Sequence, residues 1–144
     1  MPAKDKFHDI VKAALIREGW TITHDPYFLF IGKRKAYIEL GAERTIGAEK
    51  EGERIAVEVK SFLGESVMDD LEKALGQYGL YRVRLKRHEP ERILYLAVPL
   101  KLRPMLLEER DFREALTELH VRLIMFDPKQ EQETEWIDPN NMPL

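Results

Sequence analysis

Apolar residues along the chain recur with two rhythms. Over residues 5–18 they return every three or four positions, so Phe7, Ile10, Val11, Ala14 and Leu15 line one side of an amphipathic helix. Gly19 stops it at the place where a left-handed residue suits the chain. From Trp20 onward the pattern is that of strands. Residues 20–24 predict a short strand, Asp25-Pro26 a turn, and residues 27–31 and 36–40 the arms of a hairpin about the basic turn 32–35. A second hairpin turns at Glu51-Gly52. Its second arm, residues 54–62, alternates: Ile55, Val57 and Val59 share one face, and Ala56, Glu58 and Lys60 the other.

Beyond it, Ser66 can cap a helix running to about residue 86, with Asp69 and Asp70 in the first turn and Val67, Leu71, Ala74, Leu75, Tyr78 and Leu85 as its apolar stripe. Residues 92–98 predict a buried strand. Pro104 suits the start of another helix, whose core face would be Phe112, Ala115, Leu116 and Leu119. Residues 121–126 predict a strand, Asp127-Pro128 a turn, and residues 134–137 a short returning strand. No repeat or linker interrupts the chain. The expectation is one α/β (α+β) domain over residues 1–138, a mixed sheet flanked by helices, followed by a flexible tail at 139–144.

The 144 residues suffice for one cored domain. There is no cysteine, which excludes disulfides, thiolate zinc sites and a cysteine nucleophile. No apolar run approaches the roughly 20 residues that span a bilayer, and charges interrupt the N-terminal helix, so neither a membrane span nor a signal peptide is expected and the cytoplasm is the default location. With 23 Lys and Arg against 26 Asp and Glu, any nucleic-acid contact needs a local basic patch.

The second hairpin carries the candidate chemistry. Glu58 and Lys60 emerge side by side from a strand whose other face is core. A carboxylate can hold a divalent cation there, while a lysine orients water or neutralises charge on a phosphorane. Magnesium takes one or two carboxylates, so a second acid is wanted. A two-residue turn pairs residue 50 with 53, which puts Thr45 opposite Glu58 and Glu43 opposite Lys60; Glu39 has the same parity. The other acid-x-lysine match, Asp127-Pro128-Lys129, sits on a turn and has no strand face. The alternative for Glu58 and Lys60 is a solvated ion pair worth a few tenths of a kcal/mol.

Gln77 and Tyr81, four apart on the following helix, share a face, although Tyr81 can equally be core. An acid, a hairpin, a Glu-x-Lys strand and a Gln-x-x-x-Tyr helix, in that order, resemble the PD-(D/E)XK nuclease superfamily, the last motif being like that of its RecB-type members. That resemblance puts Gln77 and Tyr81 beside metal and DNA. Where such proteins often carry a first-helix glutamate, this chain has His8-Asp9. His8 is a candidate for the phosphate or metal shell, and otherwise a surface or capping residue.

The segments FHDIVKAALIREGWTITHDP, YIELGAER, IGAEKEGERIAVEVKSFLG and LEKALGQYGLYRVRL further resemble the XisH family, the fdxN-element excision controlling factors of cyanobacteria. The resemblance covers about residues 1–100. It implies a restriction-endonuclease-like fold and a part in programmed DNA excision beside a companion, XisI, and a recombinase, XisF, which exchanges the strands. The family has an aspartate where this chain has Glu39, which leaves open whether Glu39 or Glu43 is the first metal acid. The site expected on this reading is Glu39, Glu43 and Glu58 holding Mg²⁺ or Mn²⁺, with Lys60 supporting attack on a phosphodiester. A non-catalytic accessory protein binding its companion, the recombinase or DNA is the rival, and a plain structural domain the third. Lys33, Arg34 and Lys35 form one basic cluster; Arg82, Arg84 and Arg87, with Lys86 and Arg92 nearby, form a second. Both suit phosphate contacts, or simply a solvated helix end. A homodimer is expected on the ground that a two-stranded substrate favours paired sites.

Overall fold

A computed structural model describes residues 6–28, 30–35 and 45–141 of the chain. Helix α1 (Lys6–Arg17) ends where Gly19 turns left-handed, at φ 95°, and the Trp20 amide donates back to the Leu15 carbonyl. Strands β1 (Thr21–His24), β4 (Thr45–Lys50), β5 (Glu53–Val59), β6 (Arg92–Pro99), β7 (Leu123–Phe126) and β8 (Glu135–Ile137) form one sheet in the order β1-β4-β5-β6-β7-β8. Its β5–β6 and β6–β7 pairs are parallel and the others antiparallel. Helix α2 (Val67–His88) is the crossover between β5 and β6. It starts on Ser66, whose hydroxyl accepts from the Asp69 amide.

The two sheet faces bury separate cores. Phe7, Val11 and Leu15 of α1 cover Ile46, Ile55, Val57, Val59, Ile124 and Phe126. Leu71, Ala74, Tyr78, Tyr81 and Leu85 of α2 cover Ala56, Leu94, Leu96 and Val98. Parallel strands buried on both faces explain why β6 and β7 read as continuous apolar runs. This mixed sheet between helices is the restriction-endonuclease-like architecture that the sequence implied.

The 51–52 hairpin has the expected register, Thr45 opposite Glu58 and Lys50 opposite Glu53, because Glu51 and Gly52 both take positive φ in a two-residue turn. Two expectations need correction. The first hairpin is tighter than its composition suggests: β2 (Phe30–Ile31) pairs with β3 (Arg34–Lys35) across Gly32-Lys33, so Arg34 and Lys35 belong to a strand and not to the turn. Its expected arm at 36–40 lies outside the described residues. The helix beginning at Pro104 is also broken. A 3-10 turn (Leu100–Leu102) and a π-helical turn (Pro104–Glu108) precede α3 (Arg110–Glu118). Glu109 is extended, so α3 starts afresh after the π turn; Leu116 reaches the core while Leu119, just past the helix end, is exposed. Residues Pro139–Asn141 form a last 3-10 turn, with Pro139 buried.

Candidate functional site

Strand β5 lies between β4 and β6, so Glu58 has Thr45 on one side and Leu96 on the other. The Lys60 amide donates to the Ala97 carbonyl, which carries the register one residue beyond the strand. Helix α2 folds over this face. Glu58 is 1% exposed and Lys60 8%, so the reading of a solvated ion pair is overturned: a 22-residue helix covers the face that alternation alone left open.

The Lys60 Nζ lies 3.7 Å from Glu58 Oε1 and donates to Gln77 Oε1 at 2.5 Å. Gln77 is half-buried on the flank of α2. Lys60 and Gln77 form a wall of a cleft of about 290 Å³, with Asp70 and Lys73 along the same helix flank. Its opposite wall is residues 61–64, held down by the Gly64 amide donating to Asp70 Oδ2 at 3.0 Å. The result is a buried carboxylate and an oriented, largely buried amine at the edge of a small cleft; charges buried in this way act more strongly than in water. Asp70 and Lys73 were not anticipated as site residues. Their signal was available, since stepping back from Gln77 by four and then three positions reaches Lys73 and Asp70 on one helix flank.

Tyr81 diverges from Gln77. It is buried in the α2 core with Tyr78 and Leu85 and does not line this cleft. His8 is buried too, so it is neither a surface residue nor a cap. Its Nε2 lies 2.8 Å from Asp25 Oδ1, and Lys12, one turn further along α1, donates to Asp25 Oδ2 at 2.7 Å. Burial pushes the Asp25 carboxyl up, but the Lys12 hydrogen bond and the His8 and Lys12 charges hold it below the usual carboxylate range. Glu39 and Glu43 lie outside the described residues. Among the described residues no group of three or more His, Cys, Asp or Glu is placed to hold a metal ion.

The basic residues do not form a single patch. Lys33 is exposed at its turn, and nothing is described of the Arg34 and Lys35 side chains. Arg87 is exposed, whereas Arg82 and Arg84 are half-buried, and the spacing puts Arg84 and Arg87 on one side of α2 and Arg82 on another. Arg82 and Lys86 border a second cleft, of about 280 Å³, with Arg92 and Arg122. Arg92 is no surface cation: its Nε donates to Glu89 at 2.9 Å, its Nη1 to the Ile55 carbonyl at 2.8 Å, and its guanidinium lies over the Tyr27 ring. Glu89 also accepts from the Tyr27 hydroxyl at 2.7 Å and from Arg54. The Arg92 hydrogen bond leads in holding the Glu89 carboxyl down, to about 2, while burial and Glu89 push the Tyr27 hydroxyl up to about 12. No helix among the described residues is long and apolar enough to cross a membrane.

Residues 1–134 match the family described as XisH protein. Two solved structures are similar along almost the whole chain. One is an XisH family protein from Nostoc punctiforme PCC 73102, 41% identical, with TM-score 0.82, covering 93% of this chain and 100% of that one. The other is a fdxN element excision controlling factor protein from Anabaena variabilis, 39% identical, with TM-score 0.81, covering 94% of this chain and 100% of that one. No curated protein matches.

Proposed function

Because the chain belongs to the XisH family, we propose that it acts in the control of DNA excision through a phosphodiester-hydrolysing centre built on Glu58, Lys60 and Gln77. The observation that carries this reading is the buried Lys60 amine, set beside Glu58 and directed by the Gln77 amide at the wall of a cleft. The excision role comes from the Anabaena variabilis relative, described as a fdxN element excision controlling factor.

The residues fit a hard cation in kind: Glu58 supplies one carboxylate oxygen donor, and Glu39 or Glu43 would supply another. Mg²⁺ or Mn²⁺ bound there would polarise a phosphoryl oxygen and make water a better nucleophile. Lys60 stabilises the charge that develops on the phosphoryl oxygens. Gln77 is a positioning residue: its carbonyl fixes the direction of the amine. Lys33, Arg34 and Lys35, with Arg82 and Arg84, contact phosphates and orient DNA without reading its sequence. Recognition of the excision site and strand exchange then fall to the companion XisI and the recombinase XisF.

The test is a cleavage assay on linear, nicked and branched DNA with Mg²⁺ or Mn²⁺, beside calorimetry with each metal. Metal-dependent cutting should vanish in Lys60→Ala, and the heat of metal binding should vanish in Glu58→Ala. Absence of cutting by the wild type, with equal and negligible heats for both proteins, overturns the hydrolytic centre and leaves a non-catalytic accessory role.

A further inference from the structure

The side of α2 turned away from the sheet has an unusual surface. Opposite the buried stripe run Asp69, Glu72, Gly76, Leu80, Val83 and Arg87, each exposed. Leu80 is 58% exposed and Val83 59%, and a Cβ built on Gly76 meets nothing within 4 Å. A solvated helix face ordinarily carries polar helix formers, and glycine and valine both weaken a helix that has no other use for them. Among the described residues nothing covers the two large apolar side chains beside an open glycine on this face, in the middle of a 22-residue helix.

Its charges say what covers it. Acids, Asp69 and Glu72, precede the apolar centre of the stripe, and a cation, Arg87, follows it. A second α2 laid antiparallel across the first brings acidic end to basic end twice over. With the two-fold axis at the level of residue 78, Leu80 falls opposite Gly76 and Asp69 opposite Arg87, and each pairing repeats through the axis. Leucine is then received where the facing helix lacks a side chain, as a knob enters a hole. Lys73 falls opposite Val83, which its methylene stem can cover while its amine stays in water. The antiparallel arrangement also sets the two helix dipoles head to tail.

We propose that this face is a homodimer interface, α2 against α2 of a second copy, centred on Gly76 and Leu80. The axis leaves each flank of the helix on the same side in both copies. The two Lys60 clefts, which Lys73 and Gln77 line from one flank, therefore open in the same direction. The interface itself does not depend on the hydrolytic reading.

Sedimentation velocity over a concentration series tests it. The wild type should be a dimer at about 100 µM, the range where even a modest interface is populated. Gly76→Leu fills the hole, so it should weaken the dimer more than about tenfold, and yet raise the melting temperature of the dilute monomer, because leucine is the better helix former. Asp69→Arg should weaken the dimer, and adding Arg87→Asp in the same chain should restore it. Circular dichroism checks that each variant is folded. A monomeric wild type at that concentration, or a dimer indifferent to Gly76→Leu and to the charge reversal, overturns the interface.

Discussion

Lys60 and Glu58 are ionisable groups taken out of bulk water on one strand face, and such a pair is held more by the cost of parting it than by its net attraction. Glu58→Leu removes the carboxylate 3.7 Å from the Lys60 amine and should lower unfolding free energy by about 3 kcal/mol. Glu58→Leu combined with Lys60→Met should recover most of that loss in urea unfolding; strictly additive losses would show that the two groups do not interact. Glu89 makes a different case. Its carboxyl is held near 2 against the ordinary 4.5, chiefly by Arg92. A depressed carboxylate adds stability that is complete above 4.5 and is lost as pH falls towards 2, because between these limits the unfolded chain binds the extra proton. Glu89→Gln should therefore cost about 2 kcal/mol near neutral pH. That difference should shrink in denaturant titrations below about pH 3, and a difference unchanged by acid would mean that the Glu89 charge carries none of it.

Among the elements, the β4–β5 hairpin is the one that places the chemistry. Its register follows from a two-residue turn, a local matter, which is why the pairing of Thr45 with Glu58 was legible from residue spacing. Gly47 on β4 guards the neighbouring contact. A Cβ there would lie 2.8 Å from His24 Nδ1 and 3.0 Å from the Tyr27 ring, beside the irregular pairing between Ile22 and His24. Gly47→Ala should destabilise the protein by about 2 kcal/mol. Gly79→Ala, with open space around it on α2, should stabilise the monomer by roughly 0.5–1 kcal/mol. Thermal melts of the two dilute proteins should shift in opposite directions. The broken helix after Pro104 was not legible. Its apolar spacing suits one continuous helix, but the extended Glu109 interrupts it and its end at Glu118 leaves Leu119 outside the core that Leu116 enters.

At the scale of the whole molecule, the sheet separates two cores that share strands but not side chains. Leu15 is fully buried on the α1 side and Leu71 almost so on the α2 side. Each Leu→Ala change should cost about 3 kcal/mol, and the double variant should lose the sum within about 0.5 kcal/mol, because the two sites share no partners. Chemical denaturation measures all three. A loss well short of the sum would mean that the two layers act as one core.

By itself the sequence determined the order of the elements, the caps, the hairpin register and the adjacency of Glu58 and Lys60, because each depends on residues a few positions apart. Whether that strand face is wet or dry depended on α2 returning over it. So did the meeting of Lys60 with Gln77, seventeen positions away, the burial of Tyr81, and the engagement of His8 with Asp25. These contacts close long loops, whose entropic cost is met only when whole apolar layers pack together. Local periodicity can therefore name the partners without deciding which of them meet.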